Sequence, residues 1–249
     1  MPSDNRLKII LAIIVAALIA VFSIDPIAQD PAYHQFADQR RLFNIDHFFN
    51  VLSNLPFVII GIMGIRLVAS GRANGGLAEL RAMYLAFFVG VFLTGFGSAY
   101  YHHQPDNQTL LWDRLPMTIA FMALFSAIIG EYISTRLALK LFIPLLILGM
   151  TSVVYWQMSE LNGHGDLRAY ALVQFLPIVL IPLILWWFES KPNNDKYIWG
   201  VIAAYAASKP MELFDALLYN MIGLISGHSL KHLAAAFGAL IFYRSLRRD

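Results

Sequence analysis

Along most of this chain apolar and polar residues do not alternate. Apolar residues gather into long blocks near 8–24, 48–69, 80–101, 115–134, 138–156, 170–188, 198–221 and 228–244. A helix crossing a hydrocarbon core needs about 20 predominantly apolar residues, and in lipid a helix satisfies every backbone polar group within itself. The pattern therefore predicts an all-α, polytopic membrane bundle of eight spans. Clusters of Gly, Asn, Asp and Pro punctuate the blocks: "SGRANGG" (70–76), "HQPDNQT" (103–109), "LNGHGD" (161–166) and "KPNND" (191–195). Such clusters end helices, and none is long enough to be a linker. No repeat of fixed period and no shift in composition divides the chain. Pro56, Pro116, Pro144, Pro177, Pro182 and Pro210 fall within or at the start of spans, where kinks are expected. Trp112, Trp156, Trp186, Trp187 and Trp199 lie near the expected span ends, in the manner of an aromatic belt.

Composition agrees with the pattern: 58% of the 249 residues are hydrophobic and 14% are charged, against about 45–50% and about 25% in soluble domains. A net charge of +2 is too small to point to a nucleic-acid partner. The absence of cysteine excludes disulfides, thiolate metal sites and a cysteine nucleophile.

The first block, "LKIILAIIVAALIAVFSI", has the basic start and apolar centre of a signal peptide. No small-x-small cleavage site precedes "DPIAQDP", so a retained helix is expected, with cleavage the other reading. Counting Lys and Arg by loop gives the orientation. With the N-terminus cytoplasmic, one side holds Arg6, Lys8, Arg66, Arg72, Arg81, Arg136, Lys140, Lys191, Lys196, Arg244, Arg247 and Arg248, and the other holds Arg40, Arg41, Arg114 and Arg168. Both termini are accordingly expected in the cytoplasm.

Ionisable groups inside lipid are costly and usually functional. His228 and His232, in "SGHSLKHLAAA", are four residues apart and share one face of a helix, the spacing of two ligands to one metal. Ser98 and His102 are also four apart at the end of the third span. Asp113 opens the fourth span after a loop of about ten residues. The topology puts these three pieces at one membrane depth, on the non-cytoplasmic side. Three imidazoles without a thiolate suit a catalytic zinc that keeps its fourth position for water. Asp113 then accepts a proton or orients an imidazole, and Ser98 donates a hydrogen bond to the water or to a developing oxyanion. Two alternatives stay open: His103 as the ligand in place of His102, and polar residues that merely hydrogen-bond between helices.

Lys209, Glu212 and Asp215 recur every three residues in the seventh block, and Lys231 sits between the two histidines. Mutual neutralisation is the expectation, with contact to polar groups of a substrate the other reading. Asn50, Ser53 and Asn54 form a polar stripe read as helix–helix glue. His34, His47 and His164 are expected in solvated positions.

Ser98-x-x-x-His102, the Asp113 of "LLWDRLPM", the His228-x-x-x-His232 of "GHSLKHL" and the Ser-Asn of "FFNVLSNLPF" together resemble the signature of the alkaline ceramidases, members of the CREST superfamily of seven-helix membrane hydrolases. The resemblance runs from about residue 38 to about 240. It implies a seven-helix ceramidase-like domain over 31–249, preceded by an extra transmembrane helix and loop over 1–30. It further implies zinc held by His102, His228 and His232, with Ser98 and Asp113 catalytic, and hydrolysis of the amide of ceramide or a ceramide-like lipid drawn from the bilayer.

Two positions depart from the family pattern. The acidic, Trp-containing calcium motif is reduced to Asp30, Asp38 and Asp46 without the Trp, so calcium is doubtful. Arg114 follows Asp113 where an acidic residue is usual. The extra helix, short loops and lack of cysteine suggest a bacterial member in the inner membrane. A haem protein with axial histidines is a second reading; it leaves Ser98 and Asp113 unexplained. A receptor or transporter with structural zinc is a third, and it requires a fourth protein ligand, His103 or Asp113.

Overall fold

The computed structural model describes residues 5–247, and within them every regular element is a helix and no strand forms. The α-helices are α1 (Asn5–Phe22), α2 (Phe48–Leu52), α3 (Leu55–Ala69), α4 (Arg81–His103), α5 (Asn107–Ile128), α6 (Thr135–Leu161), α7 (Arg168–Trp187), α8 (Asp195–Leu213), α9 (Asp215–Ile222) and α10 (Gly227–Leu246). Short 3-10 turns cover Pro31–His34 and Ala78–Leu80, and a π-turn continues α5 over Ile129–Ile133.

Six of these stretches are long and apolar enough to cross a membrane: Asn5–Phe22, Phe48–Ala69, Ala78–His103, Asn107–Ile133, Thr135–Leu161 and Arg168–Trp187. This is a multi-pass membrane protein. The last two blocks fall outside that set, because α8 carries Lys196, Lys209 and Glu212 and α10 carries His228, Lys231 and His232 among its apolar residues.

Local sequence explains the boundaries. Asp106 caps α5 through a reciprocal pair: the Thr109 amide donates to Asp106 Oδ1 at 2.7 Å, and the Asp106 amide donates to Thr109 Oγ1 at 3.1 Å. The polar "DNQT" is therefore the first turn of a helix. Asp113 sits nearly two turns inside α5, not at its opening after a ten-residue loop, as the polarity of 103–109 suggested. The seventh block is likewise two helices, broken at Phe214 just after Pro210, and the break leaves Asp215 at the start of α9.

Pro116, Pro144, Pro177, Pro182 and Pro210 all lie inside helices and Pro56 in the first turn of α3, as expected. The belt reading fails for Trp156. It is fully buried, its indole donates to Glu160 Oε1 at 3.1 Å, and the Arg114 guanidinium lies 4.3 Å from its ring centre. Trp112, Trp186 and Trp199 are exposed.

α4 packs along α5 and α3, α5 along α6, and α10 along α8 and α3. Small residues permit the closest of these approaches, as in other membrane bundles. A Cβ on Gly97 of α4 would collide with the Trp112 backbone carbonyl of α5. Gly97→Ala is expected to destabilise the protein by about 1–3 kcal/mol, the usual cost of overpacking. Thermal unfolding in detergent measures this, and an unchanged midpoint would contradict the close approach.

Residues 23–47 form a strap across the end of the bundle that carries Ser98 to Asp113. Leu167 donates its amide to the Ile27 carbonyl at 2.8 Å, and the Gln29 amide donates to Glu160 Oε1 at 2.6 Å. His34 is bound on both sides, to the Tyr101 hydroxyl at 3.0 Å and Asn107 Oδ1 at 2.9 Å. It is not solvated, and neither is half-buried His47, whose ring lies edge-on to Phe36. Among the three expected solvated histidines His164 alone is exposed.

Candidate metal centre

α10 begins at Gly227 because Ser226 caps it, accepting from the Ser229 amide at 3.2 Å. That start places His228 in the first turn and His232 one turn later on the same face. Gly227 is required at this point, since a Cβ there would meet the Met211 carbonyl and the Asp215 backbone. α4 supplies His102 in its last turn.

The three imidazoles converge. His102, His228 and His232 are 1%, 4% and 4% exposed, and their ligand nitrogens lie within 4.8 Å of one another. Nε2 of His102 and Nε2 of His228 face each other at 3.2 Å. A tetrahedral zinc with Zn–N bonds of about 2.0–2.1 Å sets its ligand nitrogens about 3.3 Å apart, so the donor set fits such an ion. Among the described residues the cluster has these three members and no fourth. His103, on the half-buried side of α4, is not one of them, and neither is Asp113. Three nitrogens crowded at one point also leave no open disc for a porphyrin between two axial ligands.

The surrounding side chains orient the rings. Ser53 Oγ lies 2.8 Å from His232 Nδ1 and donates to the Asn50 carbonyl at 2.9 Å, leaving His232 Nε2 for the centre. Asn50 Oδ1 in turn accepts from Ser226 at 3.1 Å and Ser229 at 2.7 Å, fastening α2 to the start of α10. The stripe that sequence marked as glue thus also aims an imidazole. Partners of this kind typically contribute about 10–100-fold to metal affinity. Ser53→Ala is expected to weaken zinc binding by that factor, as read by competition with a chelator of known affinity; unaltered affinity would remove Ser53 from the centre.

Sequence spacing groups Asp215 with Lys209 and Glu212, but it serves the backbone. Its Oδ1 accepts from the His228 amide at 2.7 Å and its Oδ2 from the Ala37 amide at 2.9 Å, joining α9, the start of α10 and the strap. Phe36, beside Ala37, covers the centre, with its ring centre 4.6 Å from those of both His102 and His228. Nothing in the sequence around Phe36 signals this position, because the strap has neither periodicity nor a motif. Below it, both Asp38 oxygens are held by Arg40, at 2.8 and 2.6 Å. Burial pushes the Asp38 carboxyl up, and the Arg40 bonds outweigh it and hold the group below the usual carboxylate range. Asp46 pairs with Arg41 at 3.3 Å.

The centre opens on a cavity of about 420 Å³ enclosed by α3, α4, α5, α7, α8 and α10. His232, Ser98 and Asp113 are among the residues that line it. Phe121, Leu124, Phe175, Ile178 and Ile181 line the rest, and the volume lies in the range of about 300–1,000 Å³ usual for small-molecule sites. Lys209, Glu212 and Lys231 are also on its wall, paired as expected: Glu212 Oε1 with Lys231 at 2.7 Å and Oε2 with Lys209 at 3.1 Å.

Fold and site together define a multi-pass membrane protein with a buried three-histidine cluster able to hold a metal ion beside an apolar cavity. A model of the Ceramidase family matches residues 43–211, and the chain belongs to that family. The matched stretch contains Ser98, His102 and Asp113 and ends before His228 and His232, which the geometry brings to His102. Comparison with curated proteins gives no match.

Proposed function

We propose that the protein is a zinc-dependent intramembrane hydrolase that cleaves the amide of ceramide, or of a ceramide-like lipid, to a sphingoid base and a fatty acid. The carrying observation is the convergence of three buried imidazoles, with no fourth ligand among the described residues, beside an apolar cavity of about 420 Å³ that His232, Ser98 and Asp113 line. Ceramidase family membership, which implies an amidohydrolase, supports the same reading.

His102, His228 and His232 hold the ion, which when bound lowers the pKa of a water from about 15.7 to about 7 and polarises a carbonyl. The apolar wall takes the acyl and sphingoid chains and presents the amide at the polar end. Asp113 accepts the proton of the attacking water and delivers it to the amide nitrogen as the C–N bond breaks, so that acid and amine leave with atoms balanced. The Ser98 hydroxyl donates to the charge developing on the carbonyl oxygen. Phe36 excludes bulk water from the imidazole side.

The catalytic unit spans 31–249, preceded over 1–30 by an extra transmembrane helix whose described part, α1, lies against α7. In the bacterial inner membrane both termini face the cytoplasm and the centre faces the other side, as the distribution of Lys and Arg supports. Removing the metal with a chelator is expected to abolish ceramide hydrolysis and zinc to restore it. Turnover that survives complete metal removal would overturn the mechanism.

A further inference from the structure

The ion cluster on the cavity wall is not neutral. Three cations, Arg114, Lys209 and Lys231, face the cavity with two carboxylates, Asp113 and Glu212. Glu212 is shared: one oxygen binds Lys231, the other Lys209, and the Tyr33 hydroxyl adds a weak donation at 3.4 Å. Two ammonium groups therefore divide one carboxylate. Among the described residues Arg114 has no carboxylate partner within ion-pair distance. It donates to Gln29 Oε1 at 2.6 Å and lies over the rings of Trp156 and Tyr170 at 4.3 and 4.9 Å, while its buried Nη1 has no partner among the described residues.

Buried charge is tolerated when it is paired, and a stabilising pair needs one lysine, not two. Nor is the cluster sealed, since the Lys209, Glu212 and Lys231 side chains are 37%, 22% and 17% exposed, so a bound molecule can reach them. Lys231 also lies between His228 and His232, which puts the surplus charge beside the place where the amide is presented.

We infer that this cluster selects a lipid amide carrying an anionic group, a phosphate, sulfonate or carboxylate, next to the scissile bond. Lys209 and Lys231 are the specificity-determining residues, and Glu212 holds them apart when no lipid is bound. This rests on the hydrolase reading for the place of the amide, but recognition of the anion needs no turnover.

The test is retention of lipid by the zinc-loaded full chain in native mass spectrometry, comparing ceramide with ceramide 1-phosphate and a matching sulfonate of identical chains. The anionic lipids are expected to be retained about 10–100-fold more strongly, the factor supplied by one hydrogen bond to a charged partner. Lys209→Gln and Lys231→Gln should bring that ratio towards one, and Glu212→Gln, which removes the competing carboxylate, should raise it. Lys209 is the most exposed of the three, so its variant carries the test if Lys231→Gln does not fold. A wild-type ratio of one or below, a ratio unmoved by Lys209→Gln, or a fall in Glu212→Gln equal to that of the lysine variants would overturn the proposal. Anion preference without amide cleavage would sink the hydrolase reading alone, and cleavage without preference would sink only this inference.

Discussion

Replacing His232 by alanine is expected to strip most of the zinc from the purified protein, and His228→Ala to do the same. With either ring gone two imidazoles remain, one fewer than the three protein ligands an open zinc site keeps. No neighbour can substitute, since neither His103 nor Asp113 belongs to the cluster. The loss is cleaner for His232, whose Nδ1 faces Ser53 and whose other nitrogen faces the centre. His228 also anchors the start of α10, but through its backbone amide on Asp215, a contact that alanine preserves. Elemental quantification on monodisperse variants decides the matter. Full zinc occupancy in both would remove these histidines from metal binding.

Asp113→Asn is the complementary case, because it is expected to keep the metal and lose the chemistry. Asparagine keeps the size of the side chain, but it takes up no proton near neutral pH. General acid–base groups typically contribute about 10²–10⁴-fold, so the rate should fall by that factor at unchanged zinc content. Initial rates on metal-quantified protein measure it. A variant with wild-type turnover would leave Asp113 structural, whereas loss of both metal and activity would place it among the ligands.

Much of this protein is legible in its sequence because lipid imposes simple rules. Six of the eight apolar blocks are helices long and apolar enough to cross a membrane, and the four-residue spacings of Ser98 with His102 and of His228 with His232 each mark one helical face. What stayed hidden depends on contacts between distant residues. The strap that brings Phe36 over two imidazoles is irregular, and its register is fixed by Glu160, Asp215 and Leu167, all more than 100 residues away. Trp156 sits in sequence where a span end is expected, while its burial is set by Arg114 from α5 and Glu160 one turn on. Ser53 was recognised as polar but not as a partner of His232, because a hydroxyl in a membrane helix reads alike whether it binds backbone or imidazole. The break at Phe214 is invisible in the sequence because α8 and α9 share one apolar block, and the value of the break, a carboxylate free to hold the His228 amide, appears only in three dimensions.

The central claim is amide hydrolysis at a zinc centre built from His102, His228 and His232. The most direct measurement is mass-spectrometric detection of sphingoid base and fatty acid after incubating metal-quantified protein with a panel of neutral and anionic ceramides, beside His232→Ala. Equimolar release of both products, dependent on zinc and absent in the variant, is the predicted result. Intact lipid across the panel in protein carrying stoichiometric zinc, or equal release by His232→Ala, would contradict it.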